Sequence, residues 1–154
     1  MTPATEKRLL QAAIILALPL SVFVSIQSIA TGPAFLGRAT DVPTDLDSHF
    51  RYLSGIFLAL LVAFMSCVPD VERKGARLRL LGAMVMTGGA ARAISLVAIG
   101  PPSKGHLVGL CLELGVTPLL LLWQARVARR FARPEGSPTS LRPIIPAKAG
   151  IHRR

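Results

Sequence analysis

Four apolar blocks constrain this chain more than anything else in it: Leu9 to Ala30, Tyr52 to Val68, Leu80 to Gly100 and Leu107 to Ala125. As helices, all four are long enough to cross about 30 Å of hydrocarbon, the second near the lower limit of about 17 residues. Within lipid every backbone polar group needs a partner, and a single segment meets that need only as a helix. The expected fold is therefore all-α: a four-transmembrane-helix antiparallel bundle over residues 9–130. Residues 1–8 form a short polar start, and short turns make neighbouring helices antiparallel.

The net charge of +10 would suit nucleic acid, but its placement follows the membrane. With the N-terminus cytoplasmic, Lys7, Arg8, Arg73, Lys74, Arg77, Arg79 and the basic residues from Arg126 onward all fall inside. Only Arg38, Arg51 and Lys104 fall outside, which is the positive-inside asymmetry. No basic stripe is interleaved with aromatics, so the expected partner is the lipid bilayer and not nucleic acid. Both termini are expected to be cytoplasmic; a protein partner or homo-oligomer is left open. Cys67 and Cys111 fall at opposite depths, too far apart for a disulfide, and no Cys-x-x-Cys is present.

The first block also has the look of a signal peptide, with a basic start and Ser28-Ile29-Ala30 at its end. Its length exceeds a usual signal core, and it is read as a membrane helix kinked at Pro19. Thr31 to His49 reads as an outer loop, with Asp45 or Asp47 capping the second helix. Arg51, Gly55, Ala59, Ala63 and Cys67 form a small-residue stripe expected to face the bundle interior. Pro69 to Arg79 reads as a solvated cytoplasmic turn, and 131–154 as a disordered basic tail. Trp123 suits the inner interface.

The chemistry is concentrated in the last hairpin. Arg92 and Glu113 stand equally far from the Pro102-Ser103 turn, so antiparallel helices put them at one depth, roughly 11 Å from the surface. Gly88, Arg92 and Ser95 share one face, as do Gly109, Glu113 and Thr117. Pro118 leaves the Leu114 carbonyl without its usual amide. Gln27 and Arg51 fall in the same outer half. Two readings compete. In one, Arg92 and Glu113 are a clasp fixing helix register, since pairing is the ordinary way to hold charges in a membrane. In the other, Arg92, Glu113, Arg51 and Gln27 line an outward-facing pocket for a small polar or anionic solute. A proton relay through Glu113 is disfavoured by the cation beside it.

His49, His106 and Asp47 sit at the outer edge, without metal-ligand spacing, so no metal and no cofactor is expected. Asp47-Ser48-His49 is not a nucleophilic triad, because adjacent residues do not converge and no Gly-x-Ser-x-Gly is present. The expected role is a non-enzymatic accessory or scaffold, with solute binding or transport as the alternative.

Three segments resemble a known family: Gly32-Pro33-Ala34-Phe35-Leu36-Gly37-Arg38, Asp47-Ser48-His49-Phe50-Arg51-Tyr52-Leu53-Ser54-Gly55 and Pro102-Ser103-Lys104-Gly105-His106. They resemble the bacterial membrane proteins called domain of unknown function 4345, from about Leu9 to Arg130. The resemblance implies a small four-helix protein of the bacterial cytoplasmic (inner) membrane and implies no activity. Ile145-Pro146-Ala147-Lys148-Ala149-Gly150-Ile151-His152, in the tail from about 137, resembles a translated interspersed DNA repeat.

Overall fold

Four helices, and no strand among the described residues, make up the computed structural model, which describes residues 1–36 and 41–132. They are α1 (Pro3–Thr31), α2 (Thr44–Met65), α3 (Gly75–Ala98) and α4 (Lys104–Ala132). A 3-10 turn, Gly32–Leu36, follows α1, and a π-helical turn, Leu112–Val116, interrupts α4. The tail expected from residue 131 is helical through Ala132; 133–154, with the repeat-like stretch, lie outside the described residues.

The helices overrun the apolar blocks because their polar ends carry their own helix chemistry. α1 starts at Pro3 rather than Leu9: Thr2 accepts a bond from the Thr5 amide at 3.2 Å, and proline suits a first turn. α2 starts at Thr44 rather than Tyr52. Asp45 and Asp47 lie in its first turn, where carboxylates favour the helix dipole. Neither caps it as expected; the N-cap is Pro43, and Asp47 pairs with Arg51 one turn on. α2 stops at Met65 rather than Val68, because Pro69 disfavours helical backbone before it. α3 begins at Gly75 rather than Leu80.

The helices pack around a ring in chain order: α1 on α2, α2 sparingly on α3, α3 on α4, and the C-terminal part of α4 on α1. The backbones of diagonal pairs stay apart, their side chains meeting only in the core, as in an up-down-up-down bundle. We call the end where α1 starts and α4 finishes the base, and the opposite end the crown. At the crown, Lys104–Cys111 packs on α3 alone.

The buried core lies toward the base. Leu10, Ile14 and Leu18 of α1 recur one turn apart and meet Leu61 of α2, Leu78 and Leu81 of α3, and Val127 of α4. Cys67, Val68 and Val71 of the α2–α3 connection join them. Within the turn expected to be solvated, Pro69, Asp70 and Arg73 are exposed, but Val71 is buried and anchors the turn to the core. The small-residue stripe of α2 packs only at its base end, where Ala63 and Cys67 meet the core. Gly55 has open space where a side chain would stand and Ala59 is exposed, whereas Phe57, Leu60, Leu61 and Phe64 pack inward. The small buried side chains at this seam are Ser25 and Ser28 of α1. Ser25 satisfies its hydroxyl on the Ser21 carbonyl at 2.7 Å.

The outer surface is apolar. At most 22% of the most apolar window of any helix is buried, and Leu16, Val97 and Ile99 are each at least 79% exposed. All four helices are long and apolar enough to cross a membrane. In water such a surface would be a large exposed patch; against lipid it is the expected exterior.

α3 and α4 approach each other closely. Gly75, Gly82 and Gly89, seven residues apart, are all buried on one face of α3. A Cβ at Gly82 would come within 2.6 Å of Leu121, and one at Gly89 within 2.9 Å of the Glu113 Cβ. The seven-residue interval keeps one stripe in register with the partner helix, as in left-handed helix pairs. The close-approach residue is Gly89, not the expected Gly88, which has no neighbour within 4 Å. Gly89→Ala is expected to destabilise the protein by about 1–3 kcal/mol, the range for overpacking a tight seam. Gly88→Ala should leave stability equal or slightly higher. Thermal unfolding of the two variants in detergent checks the contrast.

Candidate functional site: the charged seam between α3 and α4

Arg92 Nε lies 3.3 Å from Glu113 Oε1. The distance is long for a charge-assisted hydrogen bond, so the contact is an ion pair rather than a tight fork. Glu113 is 7% exposed and Arg92 far more so. Glu113 Oε2 is buried without a hydrogen-bond partner. The carboxylate therefore has one oxygen on a cation and one acceptor position unfilled.

Local sequence explains how Glu113 comes to face α3. Proline at 118 has no amide to give the Leu114 carbonyl, and its ring crowds that carbonyl. α4 widens into the π-turn there, with the Thr117 amide bonding back five residues to the Leu112 carbonyl. The Thr117 hydroxyl donates to the same carbonyl at 3.0 Å. Glu113 sits inside this turn, with its Cβ against Gly89. A Cβ at Gly109 would meet Arg92 Nη1 at 3.7 Å, an ordinary contact, so this position lies beside the pair without requiring glycine.

The other expected pocket residues lie elsewhere. Arg51 bonds Asp47 through Nε at 2.7 Å and Nη2 at 3.2 Å. Its Nη1 donates to the carbonyls of Ile29 and Ala30, at 2.5 and 3.0 Å. Arg51 thus covers the C-terminal carbonyls of α1, where a cation complements the dipole. Gly32 makes room for it: its φ is +61°, and a Cβ would fall 2.7 Å from Arg51 Nη2. Gln27 is half-buried on α1, where its carbonyl accepts from the Thr31 hydroxyl at 2.8 Å. Neither Gln27 nor Arg51 bonds to Arg92 or Glu113; the polar groups form two separate clusters. His106 Nδ1 lies 2.9 Å from the Ser103 hydroxyl. His49 is exposed, its ring centroid 6.5 Å from that of Tyr52. Among the described residues no three His, Cys, Asp or Glu gather at one point.

A third cluster, at the base, escaped the sequence reading. Glu6, 5% exposed, is clasped by Arg126 at 3.0 Å and by Arg130. Lys7 pairs with Glu72 at 2.8 Å and lies 5.9 Å from the Phe131 ring centroid. Gln11 donates to the carbonyls of Val68 and Pro69, at 2.8 and 3.2 Å. Gln124, 1% exposed, donates to the Val71 carbonyl at 2.9 Å. Two glutamines thus tie the α2–α3 connection to α1 and α4. The available signal was Arg126 and Arg130 one turn apart opposite a lone early carboxylate, and two amides within apolar runs.

The chain matches a family described as Domain of unknown function (DUF4345) over residues 9–124. No curated protein and no solved structure matches it. At the crown, Arg51→Gln removes the cover from the last carbonyls of α1. Faster hydrogen exchange in a peptide spanning Ser28 to Ala34 is expected; unchanged exchange would show that these carbonyls do not depend on Arg51.

Proposed function

We propose, for a chain that belongs to the DUF4345 family, the role of a non-enzymatic multi-pass membrane protein, an accessory or scaffold component. Its Arg92–Glu113 pair acts as an intramembrane clasp. The observation that carries this reading is that the two charges engage each other across a glycine-lined seam, 3.3 Å apart. Both termini face the cytoplasm, in the inner membrane of a bacterium. Support for this comes from the base, where Lys7, Arg73, Lys74, Arg77, Arg79, Arg126, Arg129 and Arg130 gather at one end of the bundle.

A clasp suits the setting because lipid tails are as apolar as the helix surfaces. Helix association then rests on close packing and polar contacts. A buried carboxylate left alone at Glu113 would be strongly destabilising, and Arg92 removes most of that penalty. A second reading, binding of a small anionic solute, is favoured by one feature: the Arg92 side chain is 43% exposed and reaches Glu113 through Nε alone.

The charge swap separates the two. Arg92→Glu and Glu113→Arg alone are expected to lower the unfolding temperature sharply. The pair of changes together should recover most of the loss, since attraction across the seam is restored. Unfolding temperatures of wild type, both single variants and the double variant measure this. A double variant no more stable than the singles would refute the clasp.

A further inference from the structure

The base of the bundle holds a basic cavity that the clasp does not use. About 380 Å³ in volume, it opens at the first turn of α3 and is lined by Arg73, Arg79 and Arg129, with Gly75 and Gln124. No ion pair joins these arginines to a carboxylate among the described residues. Glu72 also lines the cavity, but Lys7 holds its carboxylate. No side chain caps α3, so the amides of its first turn remain free to donate.

A second observation points to a ligand. Gln124 is buried, and its Oε1 has no hydrogen-bond partner. Its orientation is set by Nε2, which donates to the Val71 carbonyl; a flipped amide would set two acceptors against each other. Gln124 lines the cavity, and both atoms of its amide stand close to the first turn of α3, Nε2 3.0 Å and Oε1 3.1 Å from where a Cβ of Gly75 would be. Gly75 has no side chain, which lets the Gln124 amide and the Arg79 guanidinium close in on that turn together. A buried acceptor without a donor is destabilising, and it calls for a hydroxyl or amine.

We propose that this cavity binds a phosphoglycerol group. The phosphate lies among Arg73, Arg79 and Arg129 at the α3 N-terminus, where the helix dipole and guanidinium groups both favour an anion. A glycerol hydroxyl donates to Gln124 Oε1. On the membrane reading, the cavity stands where the apolar run of α3 begins, at headgroup level, so an anionic phospholipid presents the group directly. A soluble glycerol phosphate offers the same chemistry, and the test separates the two.

The full-length protein in detergent is titrated with phosphatidylglycerol, with phosphatidylmethanol (the same charge without the hydroxyls) and with soluble glycerol 3-phosphate. Native mass spectrometry reads the adducts. Phosphatidylglycerol is expected to be retained best. Arg79→Gln and Arg129→Gln should each weaken its retention about tenfold, the loss of one charge-assisted contact. Arg77→Gln, exposed and outside the cavity lining, should leave it unchanged. Unfolding temperatures confirm that each variant is folded. Glycerol 3-phosphate binding with the same dependence on Arg79 and Arg129 would assign the site to a soluble ligand. Equal retention of phosphatidylglycerol and phosphatidylmethanol, or retention indifferent to Arg79 and Arg129, would overturn the proposal.

Discussion

The close approach of α3 to α4 is the constraint on which the rest of the structure depends. It exists because Gly75, Gly82 and Gly89 put no side chain between the helices. Each glycine meets a different part of α4. Gly75 lies against Gln124, Gly82 against Leu121, and Gly89 against Glu113 and Leu114. The same antiparallel register brings Arg92 to Glu113. A bulkier seam would push α4 outward and separate all of these contacts together. Because lipid supplies no hydrophobic drive to pair two apolar helices, this packing and the charge across it carry the association.

The two ends of the bundle are held in different ways. At the base, Glu6 draws Arg126 and Arg130 to α1, and Gln11 and Gln124 hold the α2–α3 connection over the core. At the crown, Arg51 ties α2 to α1, while Arg92 and Glu113 join α3 to α4. Among the described residues, polar side-chain contacts there run within each pair of helices and not between the pairs. The base is thus a closed ring and the crown two pairs side by side.

Much of this was legible from the order of residues. Apolar runs of this length have one solution in lipid, so the four helices could be read directly. The equal spacing of Arg92 and Glu113 about the turn follows from helix rise alone. The helix ends were less legible, since hydropathy reports where lipid begins and not where backbone hydrogen bonding stops; α2 gains its first two turns from Asp45, Asp47 and Arg51. The face of α3 was misread by one residue, Gly88 for Gly89, because neighbouring glycines look alike and the deciding partner lies in the π-turn of α4. The base cluster was hidden for another reason. Arg126 and Arg130 were accounted for as topology signals, and nothing local in the sequence says that Glu6 lies beneath them.

The central claim is that Arg92 and Glu113 hold the crown halves of α3 and α4 in one register. Spin labels at Ile94 and Val108, both exposed on these helices, report that distance by pulsed electron paramagnetic resonance in lipid nanodiscs. A single narrow distance distribution is predicted for the otherwise wild-type chain, broadening when Glu113 is replaced by Gln. A distribution equally narrow in the Glu113→Gln protein would contradict the account, because the glycine seam alone would then be holding the helices.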